Sequence, residues 1–156
     1  MPISPHIARL RSVVGNEVLQ VPSATVLPVD DDTRILLVRH SHSGLWGTIG
    51  GAIELDESPE DAARREALEE VRVELELRLV GAFGGPEYRV RYPNGDLTAY
   101  VAIVYEATVR SGRPTPDGDE VIEAGWFDPG AMPPGELDPF ARAVLRAVGR
   151  LDVSGP

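Results

Sequence analysis

Cysteine is absent from the 156 residues, which excludes disulfides and thiolate-held zinc or iron–sulfur clusters and suits a reducing compartment. Long apolar runs are missing too. Nothing approaches the ~20 residues that a membrane-spanning helix needs, and the opening MPISPHIARLRS has neither the basic start nor the unbroken apolar stretch of a secretory leader. These absences lead us to expect a soluble, cytoplasmic protein that does not engage membranes. Positive charge is scarce: 15 Arg plus Lys stand against 25 Asp plus Glu, a formal net charge of −10. Broad binding to nucleic acid or anionic lipid relies on neutralising phosphates with basic side chains, so this balance argues against it. An anionic substrate would need a few local arginines or a divalent cation held by the protein's own acids. There is no low-complexity tract and no repeat at a fixed period. The length suits one domain over residues 1–156, able to bury about two-thirds of its unfolded surface.

What is present reads as alternating strands and a few helices. Ile7, Leu10, Val13 and Val14 recur at helical spacing before Gly15, so a short leading helix is expected. The runs EVLQVPSATVLPV and RILLVRH, separated by DDDT, predict two strands joined as a hairpin. Ser58, Pro59, Glu60 and Asp61 form a helix start, with a capping hydroxyl, a proline suited to the first position and acids at the positive end of the dipole. VELELRLVGAF alternates as a half-buried strand does, and YRVRYPNGDLTAYVAIVYEATV carries two strands around an Asn-Gly turn. DEVIEAGWFD offers a last strand. After the loop PGAMPPGEL, Asp138 and Pro139 open a final helix with Phe140, Val144, Val148 and Leu151 down one side. The order predicts an α/β fold, a mixed sheet between helices, with the first and last helices inside the domain.

The helix that starts at Ser58 is crowded with acids. Glu66, Glu69 and Glu70 project within an arc of roughly 100°, while Ala63, Ala67, Leu68 and Val71 point to a side that can pack on the sheet. Like charges at this spacing cost about 0.2–0.5 kcal/mol per pair, and these lie toward the negative end of the dipole. Glu60 can pair with Arg64 and Asp61 with Arg65 four residues on, which leaves the later cluster short of positive charge. Two readings stand at this point: a solvated acidic face, or a carboxylate cage for Mg²⁺ or Mn²⁺ completed by water and substrate phosphates.

The spacing around that helix decides what it resembles. From Gly51 the chain reads Gly, five residues, Glu57, seven residues, Arg65, Glu66, two residues, Glu69 and Glu70. This resembles the Nudix box, GX5EX7REUXEEXGU with U a bulky aliphatic residue, over Gly51 to Val73. Trp126 and Phe127 look like the family's late strand. Three positions depart from the usual pattern: Ile49 where Pro often precedes the glycines, Ala67 where a larger aliphatic is usual, and Arg72 where the pattern has Gly. A glycine there lets a helix end in a left-handed turn, whereas another residue costs about 1–2 kcal/mol.

The resemblance implies a Nudix-like α/β/α sandwich and hydrolysis of a nucleoside diphosphate linked to another moiety, dependent on Mg²⁺ or Mn²⁺. By position, Glu66, Glu69 and Glu70 would ligate the metal, Glu57 would support or join them, Arg65 would orient them, and the Gly50 carbonyl would add an oxygen ligand. Glu66, Glu69 and Arg65 would thereby serve catalysis, with Glu120 as general base and Glu123 behind it. Arg39, Arg89, Trp46 and Tyr92 are candidates for holding the nucleotide, each with surface decoration or core packing as the plainer role. His40 and His42 lack a third partner for zinc. ADP-ribose or a sugar nucleotide is favoured over a nucleoside triphosphate, and the family's many homodimers imply a dimer. A nucleotide sensor without turnover and an acidic helix that docks a protein are the competing functions.

Overall fold

A computed structural model of the chain describes residues 3–132 and 136–151. Its elements are α1 (Pro5–Val14), β1 (Leu19–Pro28), β2 (Ile35–His40), β3 (Trp46–Gly47), β4 (Ile49–Ala52), α2 (Pro59–Val71), β5 (Glu74–Phe83), β6 (Arg89–Arg91), β7 (Leu97–Ser111), β8 (Val121–Phe127) and α3 (Pro139–Ala147). The strands form two sheets. In the first, β4, β1, β7 and β5 lie side by side with β6 also on β7; β1 and β7 are parallel and the other pairs antiparallel, so this sheet is mixed as expected. The second is antiparallel, in the order β3, β2, β8.

The hairpin expected between β1 and β2 does not form. Both lateral edges of β1 are taken, by β4 and β7, so β2 pairs with β3 and β8 instead, and a single bridge between Val29 and Ile35 joins the two at the turn. The Asn-Gly turn does join β6 to β7, with Arg91 opposite Leu97 and Gly95 at φ 93°. The loop expected at PGAMPPGEL falls partly outside the described residues, at 133–135.

Alternation along the inner strands creates two cores. Leu36 and Val38 of β2, with Ala24 and Val26 of β1, face α2, while Ile35 and Leu37, with Ala102 and Val104 of β7, face α3. Ala62, Ala63, Ala67 and Val71 dock α2, and Ala141, Val144 and Leu145 dock α3. The helix α1 buries nothing and is held by hydrogen bonds instead. Arg11 donates to the carbonyls of Gly15, Glu17 and Leu97, and Ser4 Oγ donates to Glu54 at 2.7 Å. Among the described residues no helix is long and apolar enough to cross a membrane.

Candidate active site

The start of α2 follows its sequence. Ser58 Oγ accepts from the Asp61 amide at 3.1 Å, and Pro59 occupies the first turn. Its end carries strain: Arg72 adopts the left-handed conformation, φ 59° and ψ 39°, where glycine is the easy choice. A following loop covers this end, the Thr115 amide donating to Val71 O at 2.9 Å and the Asp117 amide to Glu70 O at 3.1 Å, so two of the carbonyls left open at a helix terminus are satisfied.

The acids of α2 do not stay together on one solvated face. Glu66 and Glu70 are 0% and 1% exposed and share the inward side with the alanines, whereas Glu69 and Leu68 point outward. The separation of an acidic from a packing face, and the packing of Leu68, are thus corrected. Ala63, Ala67 and Val71 fix which side turns inward, and positions 66 and 70 fall on that side at spacings of three and four.

Arg65 organises what surrounds them. Its Nε and one terminal nitrogen grip both oxygens of Glu57 at 2.7 and 3.0 Å. The other terminal nitrogen donates to Glu66 Oε1 at 2.9 Å and to Glu69 at 3.3 Å, and Ala52 O takes a fifth contact at 3.2 Å. Beside this guanidinium Glu57 is held below the usual carboxylate range, and Arg65 is pushed further toward its charged form by Glu57. Glu66 Oε2 and both oxygens of Glu70 find no hydrogen-bond partner among the described residues. Burial pushes Glu66 up to about 7 against the pull of Arg65, with Glu69 and Glu120 adding repulsion. Glu70 is raised well above the usual range by burial, then by Glu66 and Glu120; the nearby Gly50 amide eases this only in part.

Glu70, Gly50, Gly51 and Glu120 lie in the wall of a cleft of about 900 Å³. Gly50 is there for want of a side chain, since a Cβ would sit 2.2 Å from Ala24 O on β1. An aromatic series runs along the same cleft: His40 to His42 at 5.5 Å, His42 to Tyr92 at 6.4 Å, Tyr92 bonded to Tyr100 through their hydroxyls, and Tyr100 to Phe140 at 5.7 Å. Arg89 and Arg91 line it too. Arg39 and Trp46 stand elsewhere: Arg39 donates to Gly44 O and pairs with Glu123 at 3.1 Å, while the Trp46 ring packs edge-on against Phe127 in the α3 core. Asp138 was readable only as a helix cap. It does accept from the Ala141 amide at 3.0 Å, and it also faces the cleft, where burial raises its carboxyl.

No set of three His, Asp or Glu among the described residues is gathered closely enough to hold an ion by itself, so the expected cage is not preassembled. The donor chemistry nevertheless fits a divalent cation. Three orphaned, buried, mutually repelling carboxylate oxygens present the hard ligands such an ion takes, and substrate phosphates and water customarily supply the rest.

Comparison with known proteins bears on this arrangement directly: the sequence profile of the NUDIX domain matches residues 19–148. The chain belongs to the Nudix family. It is 28% identical over 129 residues to a MutT-like protein of Streptomyces ambofaciens, covering 82% of this chain and 75% of that one. It is 32% identical over 116 residues to the NAD-capped RNA hydrolase NudC of Pseudomonas syringae pv. syringae, covering 72% of this chain but 38% of that protein. The crystal structure of a MutT NUDIX hydrolase from Burkholderia pseudomallei superposes with a TM-score of 0.68 at 28% identity, over 86% of this chain and 99% of that one. As a Nudix pyrophosphohydrolase, the protein is an enzyme of phosphoric anhydrides. The family generally uses divalent metal ions, which accords with the orphaned oxygens of α2.

Proposed function

We propose that this Nudix hydrolase cleaves the pyrophosphate of a nucleoside diphosphate linked to a second moiety, ADP-ribose or a sugar nucleotide ahead of a nucleoside triphosphate, with Mg²⁺ or Mn²⁺ as cofactor. The observation that carries this reading is the placement of Glu70, with its unpartnered oxygens, at a cleft that also holds the aromatic series. One chemistry suits the anhydride and the other a base that stacks.

Glu70 and Glu66 Oε2 are the groups that would hold the cation from inside, Glu69 from the solvent side, and the Gly50 carbonyl beside them. When bound, the ion neutralises phosphate charge and makes a water nucleophilic near neutral pH. Glu57, gripped on both oxygens, acts through Arg65, which fixes Glu66 by its Oε1 and leaves Oε2 free to turn to the metal. Glu120, whose charge already bears on Glu66 and Glu70, takes the proton of the attacking water. Arg89 and Tyr92 meet the nucleotide along the cleft.

Charge supports the substrate order. Glu54, Glu70, Asp96, Glu120 and Asp138 all line this cleft, and of its arginines Arg11 is taken up by backbone carbonyls and by its pair with Asp96. Each further phosphate adds repulsion that a neutral sugar does not. A homodimer belongs to the same reading and is checked by light scattering of the eluting protein. The activity test is a panel of ADP-ribose, UDP-glucose and nucleoside triphosphates with Mg²⁺ or Mn²⁺, followed by chromatography. Release of a nucleoside monophosphate from the first two, abolished by EDTA, is the expected result. Turnover of triphosphates alone, or of nothing, contradicts the proposal.

A further inference from the structure

The loop between β7 and β8 does more than close the end of α2. Asp117 Oδ1 accepts from three consecutive amides, Asp119 at 3.0 Å, Glu120 at 3.1 Å and Val121 at 2.9 Å. Its own amide donates to Glu70 O at 3.1 Å. One residue therefore ties the helix turn that carries Glu70 to the segment that carries Glu120. On the far side, Glu120 O accepts from the Ser41 amide at 2.9 Å, so the Glu120 main chain is pinned at both its N–H and its carbonyl. One side-chain oxygen that takes three successive amides fixes the backbone of residues 119–121, and a glycine on each side, Gly112 at φ 90° and Gly118 at φ 84°, lets the loop double back.

We infer that Asp117 is a positioning residue, whose carboxylate oxygen sets Glu120 against the Glu66–Glu70 pair by gathering the amides of residues 119–121. This rests on the reading of Glu120 and α2 as parts of one cation-dependent site. Outer groups that orient a metal site in this way cost about 10- to 100-fold in affinity or activity when removed. The role depends on an oxygen acceptor at this position more than on its charge, because it is the three N–H groups that fix the backbone.

The test is a Mn²⁺ titration of the metal-free protein, read by calorimetry, with hydrolysis of ADP-ribose measured alongside. Asp117→Ala is expected to weaken Mn²⁺ binding about ten-fold and to lower kcat far more than it raises KM. Asp117→Asn, which keeps the oxygen and loses the charge, is expected to restore most of both. In the Glu120→Gln background Asp117→Ala should add less than about two-fold, because one pathway carries both effects. If Asp117→Ala does not fold, Asp117→Glu moves the acceptor out by one methylene and should show the same loss. Equal damage from Asp117→Asn would reduce the role to through-space charge and overturn the inference, as would independent multiplication of the Asp117 and Glu120 effects. Lowered thermal stability with unchanged Mn²⁺ affinity would overturn it too. Should wild type bind Mn²⁺ and leave ADP-ribose intact, the substrate reading fails, while the Mn²⁺ arm still decides the role of Asp117.

Discussion

The helices α2 and α3 cover opposite faces of the strands and begin alike: a capping side chain, Ser58 or Asp138, accepts from an amide three residues on, and a proline follows. What they bury differs. Ala141, Ala143, Val144 and Leu145 of α3 are hydrocarbon, whereas α2 puts Glu66 and Glu70 among its alanines with three oxygens unpartnered. The first surface holds the fold together by removing apolar area from water, about 25 cal/mol per Å². The second works against it, since an unsatisfied buried polar group costs about 1–3 kcal/mol and a charged one more. Nothing in local helix chemistry requires that difference; the proposed cation would account for it.

The largest effect that sharpens the contrast is on turnover. Glu70→Gln, nearly the same shape without the charge, is expected to lower kcat by about 10²–10³-fold in the nucleotide assay, and retention of full activity would remove Glu70 from the site. On α3 the opposite separation is expected: Leu145→Ala should cost about 3 kcal/mol in a urea melt while Mn²⁺ affinity stays the same. A shared loss of stability and cation binding there would blur the two surfaces.

The pH dependence of the metal-free protein comes next. Native Glu66 titrates near 7, above the ordinary 4.5 of the unfolded chain, so the native state binds the proton more tightly. Its contribution is therefore fully present below pH 4.5 and lost as pH rises through about 7, a decline of about 3 kcal/mol to which Glu70, raised the same way, adds, measured by denaturation at fixed ionic strength. Glu57 runs the other way, its stabilising pair with Arg65 lost only as pH falls below the usual carboxylate range. A flat profile between pH 5 and 7 would contradict the buried state of Glu66 and Glu70. The smallest effect is at the helix end. Arg72→Gly should raise stability by about 1 kcal/mol by relieving the left-handed strain, net of the added freedom of glycine when unfolded.

Much of this was legible in the residues. The caps at Ser58 and Asp138, the Asn-Gly turn before β7 and the strands β1, β2 and β5 to β8 follow from local chemistry, and all stand in the structure, whereas β3 and β4 lie in SHSGLWGTIGGA, which reads as a loop. The Gly51 to Val73 spacing carried the family. The inward turn of Glu66 and Glu70 was hidden because the rule that charges stay in solvent outweighed the alanine spacing that pointed them inward. The failed β1–β2 hairpin turned on competition for the edges of β1, which strands distant in sequence decide. Asp117, in PTPDGDE, reads as an ordinary turn former, and its three amide contacts exist only once the loop is folded over α2.

Whether α2 buries its carboxylates for a divalent cation is decided by thermal denaturation of wild type and Glu70→Gln at pH 8, each with and without Mg²⁺. Without Mg²⁺ the variant is expected to be the more stable protein, and Mg²⁺ is expected to raise the melting temperature of wild type well beyond that of the variant. A wild type indifferent to Mg²⁺, or a variant that is less stable in both conditions, would contradict a cation-binding role.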